Sequence, residues 1–190
     1  PTIVPDGSAD NAANNVVVLA GQITDVAGVS AYSTVTLSAP GVMFVSGPVS
    51  SLGSITVQTS ASGAYAGVKA YSNTAGEVTI TATAGSATKT LKVTFAAAAN
   101  NTGAVLTITA PDYVAAGSTF SASALLVDKY GNAVDTTGTG NQTFLFSAVS
   151  PGFQVGSNPS DTDADGVAKL AYFLGNNDSG SIVLTAVYDI

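Results

Sequence analysis

The chain has 190 residues, 46% of them hydrophobic and only 9% charged, and a net charge of −7. That length suits two small domains better than one, and with charge so far below the roughly 25% of an average soluble domain, the polar surface falls to Ser, Thr, Asn and Gly. The only cations are Lys69, Lys89, Lys92, Lys129 and Lys169, and there is no His, Cys or Trp, which argues against nucleic acid or an anionic membrane as partner and excludes disulfide, thiolate and imidazole chemistry.

At the N-terminus no signal peptide is visible and residue 1 is Pro, so a processed product or an excerpt of a longer protein is expected. The longest apolar run, "VTFAAAAN" at 93–100, is far too short to cross a membrane. Strand-like alternation begins with "TVTLS" (34–38) and continues through "SITVQ" (54–58), "EVTIT" (77–81) and "TLKVTF" (90–95). A second set follows in "LTIT" (106–109), "FSASALLV" (120–127), "FLF" (144–146) and "SIVLTAV" (181–187). Clusters of Gly, Asn, Asp and Pro separate these runs, as turns do, and no segment keeps a 3.6-residue period. The chain is predicted to be all-β.

The second set repeats the first. Asp25 and Gly28 match Asp128 and Gly131 at a shift of 103 residues, as Gly63 matches Gly166, and Gly76 matches Gly180 at a shift of 104. "TSASGAYAG" thereby aligns with "TDADGVAKL", and "AGEVTITA" with "SGSIVLTA". Short strands with turns every 8 to 12 residues predict two tandem immunoglobulin-like β-sandwiches. The expected domains are residues 1–97 and 104–190, joined by a small, polar linker at 98–103.

"VDKYGNAV", "TDADGVA" and "SGSIVLTAV", taken together, resemble the repeat signature of bacterial immunoglobulin-like domains of the invasin and intimin group. The first copy is a more diverged version, and the resemblance covers nearly the whole chain. It implies a sandwich module of the kind found in adhesins, surface-layer proteins, filament subunits and phage appendages. It brings no catalytic or cofactor-binding residues with it.

"DTDADG" at 161–166 is the stretch most suggestive of chemistry. Asp161, Asp163 and Asp165 followed by Gly166 fill the first half of a calcium loop, but position 9 is Lys169 and position 12 is Tyr172 where a bidentate Glu belongs. The other reading is a hairpin turn in which Asp caps the backbone and Gly supplies positive φ. The turn is the expectation, with calcium on the three aspartates as its alternative; no other cofactor is expected.

Without His, and without a Ser-x-x-Lys pattern, no recognisable nucleophilic set exists. Glu77 is the only Glu, and the aspartates sit mostly in turn-like contexts, so no enzyme is expected. Lys92 lies in a strand but alternates opposite to Leu91, Val93 and Phe95, which argues for solvent and against a buried isopeptide cross-link. Asn100, Asn141 and Asn177 open N-x-Ser/Thr triplets and are glycosylation candidates. Tyr65, Tyr71, Tyr130, Tyr172 and Phe173 offer material for a glycan-binding face, although packing is the plainer reading.

One asymmetry outweighs these motifs. The first copy continues after "EVTITATAG" into the strand "TLKVTF", whereas the second ends with "SIVLTAVYDI". The second sandwich is expected to lack its closing strand, which either residues beyond 190 or another chain would supply. For donation between subunits the candidate segment is residues 1–15, and the candidate assembly residues are Pro1, Thr2, Ile3, Val4, Tyr188 and Ile190. The leading expectation is a non-enzymatic extracellular structural subunit that assembles with copies of itself into a surface filament, sheath or surface layer. The alternatives are the stalk or binding module of an adhesin, with a glycan or another surface protein as partner, and a phage or virion decoration protein.

Overall fold

Alternation along the sequence becomes alternation in burial. In the strand Thr119–Val127, "TFSASALLV", the residues Phe120, Ala122, Ala124 and Leu126 turn inward and are 8% exposed or less, while Ser121, Ser123 and Leu125 face out between them. A computed structural model of the protein describes residues 2–3, 16–25, 27–28, 32–97, 104–135, 143–149, 153–155 and 162–189. Among these residues there is no helix, and the chain divides into two compact units, Pro1–Ala96 and Ala97–Ile190. The all-β expectation holds.

The first unit contains β1 (Thr2–Ile3), β2 (Val17–Gln22), β3 (Thr34–Ser46), β4 (Val49–Gln58), β5 (Ala64–Tyr71), β6 (Gly76–Ala84) and β7 (Ala87–Phe95). They hydrogen-bond in the order β1-β7-β6-β3-β5-β2, with β4 on the remaining side of β3. Inward residues of the strands meet in one core that includes Leu19, Leu37, Phe44, Ile55, Val68, Ile80, Val93 and Phe95. β7 contributes Val93 and Phe95, each only 1% exposed. At about 25 cal/mol per Å² of apolar surface, a fully buried side chain of this kind stabilises by roughly 1.5–3 kcal/mol.

β3 departs from a plain sandwich strand. Its first part pairs with β6 (Leu37 opposite Ala82) and its second with β5 (Phe44 opposite Ala70), with the register shifting between Ser38 and Met43. Pro40 lacks an N–H for the ladder, and Gly41 takes φ +72°, so the strand bends there and passes from one layer to the other. The first unit is therefore one continuous seven-stranded sheet folded on itself.

The second unit keeps two separate sheets. β8 (Val105–Thr109), β9 (Thr119–Val127), β11 (Phe153–Val155) and β12 (Val167–Phe173) form one, in the order β11-β12-β9-β8. β10 (Thr143–Val149) and β13 (Val183–Asp189) form the other. Its core gathers Phe120, Leu126, Val134, Leu170, Tyr172 and Leu174, with Phe120 and Tyr172 stacked at 5.5 Å between ring centres. The pairings β2–β5 and β3–β6 in the first unit recur as β9–β12 and β10–β13 in the second, the two-layer pairing of an immunoglobulin-like sandwich.

Gly166 locks the second unit. It has φ +75°, its carbonyl accepts the Leu126 N–H at 2.8 Å, and a Cβ there would lie 2.6 Å from the Leu126 carbonyl oxygen and 3.1 Å from the Val134 nitrogen. Gly131 has φ +85° with nothing within 4 Å of its Cβ position. Gly131→Ala should therefore lose about 1 kcal/mol from backbone conformation alone. Gly166→Ala should lose at least about 1 kcal/mol more, because rigid backbone must move. Equal losses in urea unfolding would contradict the close approach at Gly166.

Candidate functional site

The turn around Asp163 closes on itself. The Asp163 N–H donates to the Val167 carbonyl at 3.1 Å, and the Gly166 N–H donates to the Asp163 carbonyl at 2.8 Å. One side-chain oxygen of Asp163, Oδ1, accepts the N–H groups of Asp165 and Val167, each at 3.0 Å. In the first unit Ser60 holds the matching place: its N–H donates to the Ala64 carbonyl at 2.7 Å, and its carbonyl accepts the Gly63 N–H at 2.9 Å. The Ser60 hydroxyl accepts the Ala64 N–H at 3.3 Å and lies 2.7 Å from the Ser62 hydroxyl. A carboxylate and a hydroxyl thus do the same capping work at the same turn. Asp163 and Asp165 are both exposed, and Asp161 lies outside the described residues.

A second repeated turn is built on Asp25 and Asp128. Asp25 Oδ1 accepts the Ala27 N–H at 2.8 Å, and Asp128 Oδ1 accepts those of Tyr130 and Asn132 at 2.8 and 2.9 Å. Asp128 is only 1% exposed, and its Oδ2 accepts the Asn132 Nδ2 at 2.8 Å. Three hydrogen bonds to a buried carboxylate mark it as a structural anchor, whose removal would strand backbone donors. The sequence placed Asp25 and Asp128 only as repeat markers.

The only Glu, Glu77, is paired with Lys92 at 2.7 Å across β6 and β7, both side chains being largely solvent-exposed. Glu77 raises the Lys92 pKa, first through the hydrogen bond and then through its charge. Lys92 thus faces solvent, as its alternation implies. Asn177 is exposed in a turn where the Asp178 N–H donates to the Gly175 carbonyl at 3.1 Å and Asp178 Oδ2 accepts the Gly175 N–H at 2.7 Å. Asn100 and Asn141 lie outside the described residues.

The assembly residues separate into two places. Thr2 and Ile3 form β1, which pairs in parallel with Thr94 and Phe95 of the same unit. Tyr188 lies in β13 opposite Phe144 and packs half-buried on the second core. Burial pushes the Tyr172 and Tyr188 hydroxyls above the usual phenol value. Pro1, Val4 and Ile190 lie outside the described residues.

The margin of β13 is the most distinctive feature of the surface. Among the described residues β13 pairs with β10 alone, whereas its first-unit equivalent β6 has β7 on its outer side. From Gly180 to Tyr188 there is no charged residue and no Pro, and Val183 and Val187 are 60% and 50% exposed. Beside this margin lies a groove of about 600 Å³ with a mixed lining, apolar at Ile108, Phe120 and Leu184 and polar at Asp112, Asp178 and Ser181. The first-unit equivalents of Gly180 and Ile182 are Gly76 and Val78, the ladder partners of Phe95 and Val93.

No family model matches the chain, and no curated protein matches it in sequence. Solved structures similar to it include invasin, described as a bacterial integrin-binding protein, at 15% identity over 92% of this chain and 33% of that one, with a TM-score of 0.42. The Escherichia coli adhesin FdeC is 17% identical over 100% of this chain and 56% of its own, with a TM-score of 0.49. Domains 5–6 of the S-layer protein SbsC are 14% identical over 92% and 88%, with a TM-score of 0.33. The chain spans a third of the solved invasin chain and just over half of the FdeC chain. Invasin belongs to the group that the repeat motif resembles.

The turn geometry makes a specific prediction about the aspartates. Asp163→Ala should destabilise the second unit by about 1 kcal/mol, to the same extent with and without added calcium. A calcium-dependent rise in the melting temperature of the natural chain that disappears in this variant would assign the site to the cation instead.

Proposed function

We propose that this chain is a non-enzymatic structural module of an extracellular surface, a tandem immunoglobulin-like subunit that assembles with copies of itself into a filament, sheath or surface layer by adding strands across sheet margins. The observation that carries this reading is the outer side of β13, uncharged from Gly180 to Tyr188, where among the described residues no strand pairs, whereas β6 of the other copy has β7 there. A row of backbone N–H and C=O groups with no Pro, and no charge before Asp189, is a template for pairing with another chain. Two further observations support a mechanical role. The polar surface is built from Ser, Thr and Asn with few charges, which lets sheet faces approach one another without large desolvation costs. Four of the acidic groups have structural occupations: Asp25, Asp128 and Asp163 cap turns, and Glu77 pairs with Lys92.

A second reading, the stalk or binding module of an adhesin, is favoured by the division of the chain into two self-contained units, one following the other in sequence. It requires no self-association, and its partner would be a glycan or another surface protein. Light scattering together with negative-stain electron microscopy separates the two. Species larger than the 18.6 kDa chain, growing with concentration, are expected for the structural subunit. A strictly monomeric chain at about 100 µM, where contacts with a Kd of a few micromolar would be well populated, would overturn that reading in favour of the stalk.

A further inference from the structure

A buried threonine clamp recurs in both units and presents a different residue in each. In the first unit the Thr59 N–H donates to the Ser33 carbonyl at 2.9 Å, and the Ser33 N–H donates to the Thr59 hydroxyl at 2.8 Å. In the second unit the Thr162 hydroxyl donates to the Val134 carbonyl at 2.5 Å. Thr59 and Thr162 stand 103 residues apart, the period of the repeat, and each is 1% exposed. The residue just before the clamped one is Tyr32 in the first unit and Ala133 in the second. The fold uses the threonine twice and asks for no aromatic at that place.

Tyr32 is 69% exposed and lines a groove of about 490 Å³ between β4 and the start of β5. Ile55 and Val57 give this groove apolar surface, while Thr56, Gln58 and Ser60 are exposed polar residues along it. Among the described residues no charged side chain lines it. Its walls are held firmly. Gly21 lets the ring of Tyr65, another lining residue, lie so close that a Cβ there would come within 2.6 Å of it. The Ser60 N–H ties the end of β4 to the Ala64 carbonyl at 2.7 Å.

The strand edges beside the groove are poor templates for an extended peptide. Gly53 in β4 takes φ +85° where the β3–β4 register shifts between Ser38 and Met43. In β5, Ala66 and Gly67 together stand against Ala20, and Gly67 takes φ +75°. Such bulges interrupt the even spacing of N–H and C=O groups that strand addition needs. A small, discrete ligand suits the place better.

The lining chooses the chemistry of that ligand. A phenol ring offers a flat apolar face to C–H groups, and hydroxyl and amide side chains around it can both donate and accept. With no charge in the walls, an ionic ligand would lose hydration without compensation. A sugar ring combines an apolar C–H face with neutral hydroxyls around its rim. The volume falls within the usual range of small-molecule sites and accommodates such a ring.

We infer that this groove binds a neutral saccharide, with one sugar ring stacked on Tyr32 and its hydroxyls bonded along the polar wall at Thr56, Gln58 and Ser60. The site goes beyond self-assembly and does not depend on it. Because Tyr32 leaves the ligand largely in contact with water, a dissociation constant of about 0.1–10 mM is expected.

Amide chemical shifts of the full chain, followed while sugar is added to about 20 mM at constant protein concentration, test this. Lactose, maltose and diacetylchitobiose are the neutral probes, sialyllactose is the charged one, and a short peptide of alternating Val and Thr is the strand probe. The inference expects at least one neutral sugar to shift the amides of Tyr32, Gln58 and Ala64 saturably, and sialyllactose to bind no more tightly than lactose. Tyr32→Ala should weaken that binding about tenfold with an unchanged melting temperature, whereas Tyr32→Phe, which keeps the ring, should retain it. Groove amides that respond to none of the neutral sugars, or binding that Tyr32→Ala leaves intact, would overturn the inference. A peptide that shifts these amides when no sugar does would also overturn it and assign the groove to strand addition. Self-association enters none of these outcomes, because only the ligand concentration changes.

Discussion

Strand margins decide what this molecule can be. Each N–H and C=O along a sheet edge must find a partner or stay in water, and an apolar core beneath the edge makes water a poor solution. In the first unit β7 covers the outer side of β6 and sends Val93 and Phe95 into the core, and β1 then covers part of β7. In the second unit the described strands stop at β13, leaving Ile182 and Leu184 at the wall of a groove. Among the described residues the repeat thus shows a strand outside β6 and none outside β13.

The rest of the architecture is arranged to hold strands without charge. Turns are closed by short side chains bonding to nearby backbone, with Asp128 and Asp163 in the second unit, and Asp25 and Ser60 in the first. Such caps contribute about 1 kcal/mol each and ask for no charged partner. The ion pair of Glu77 with Lys92 is solvent-exposed and adds little stability. Its larger consequence is to mark the outer surface of the β6–β7 hairpin as charged, which the β13 margin is not.

Much of this was legible in the sequence because half-buried strands alternate visibly. The strands β3, β4, β6, β7, β8, β9, β10 and β13 all contain stretches that alternation singles out. β2 was hidden because Val16, Val17, Val18 and Leu19 are apolar in succession, although Val18 is 59% exposed and its neighbours are buried. β5 and β12 are rich in Ala, whose small side chain carries little strand preference and little periodic signal. The passage of β3 between layers could not be read, because Pro40 and Gly41 look like a strand terminator rather than a bend within one. The capping role shared by Ser60 and Asp163 was recoverable from the repeat alignment, which sets "TSASG" against "TDADG".

The central claim is that copies of this chain add strands to one another at the outer side of β13. Hydrogen exchange, followed amide by amide along β6 and β13 while protein concentration is raised, addresses this directly. β6 amides should be protected at every concentration, because β7 and β3 flank that strand. Those β13 amides that face away from β10 should exchange quickly in dilute solution and slow down as the concentration rises. Uniform protection of β13 in dilute solution, or exchange there that ignores concentration, would contradict the account.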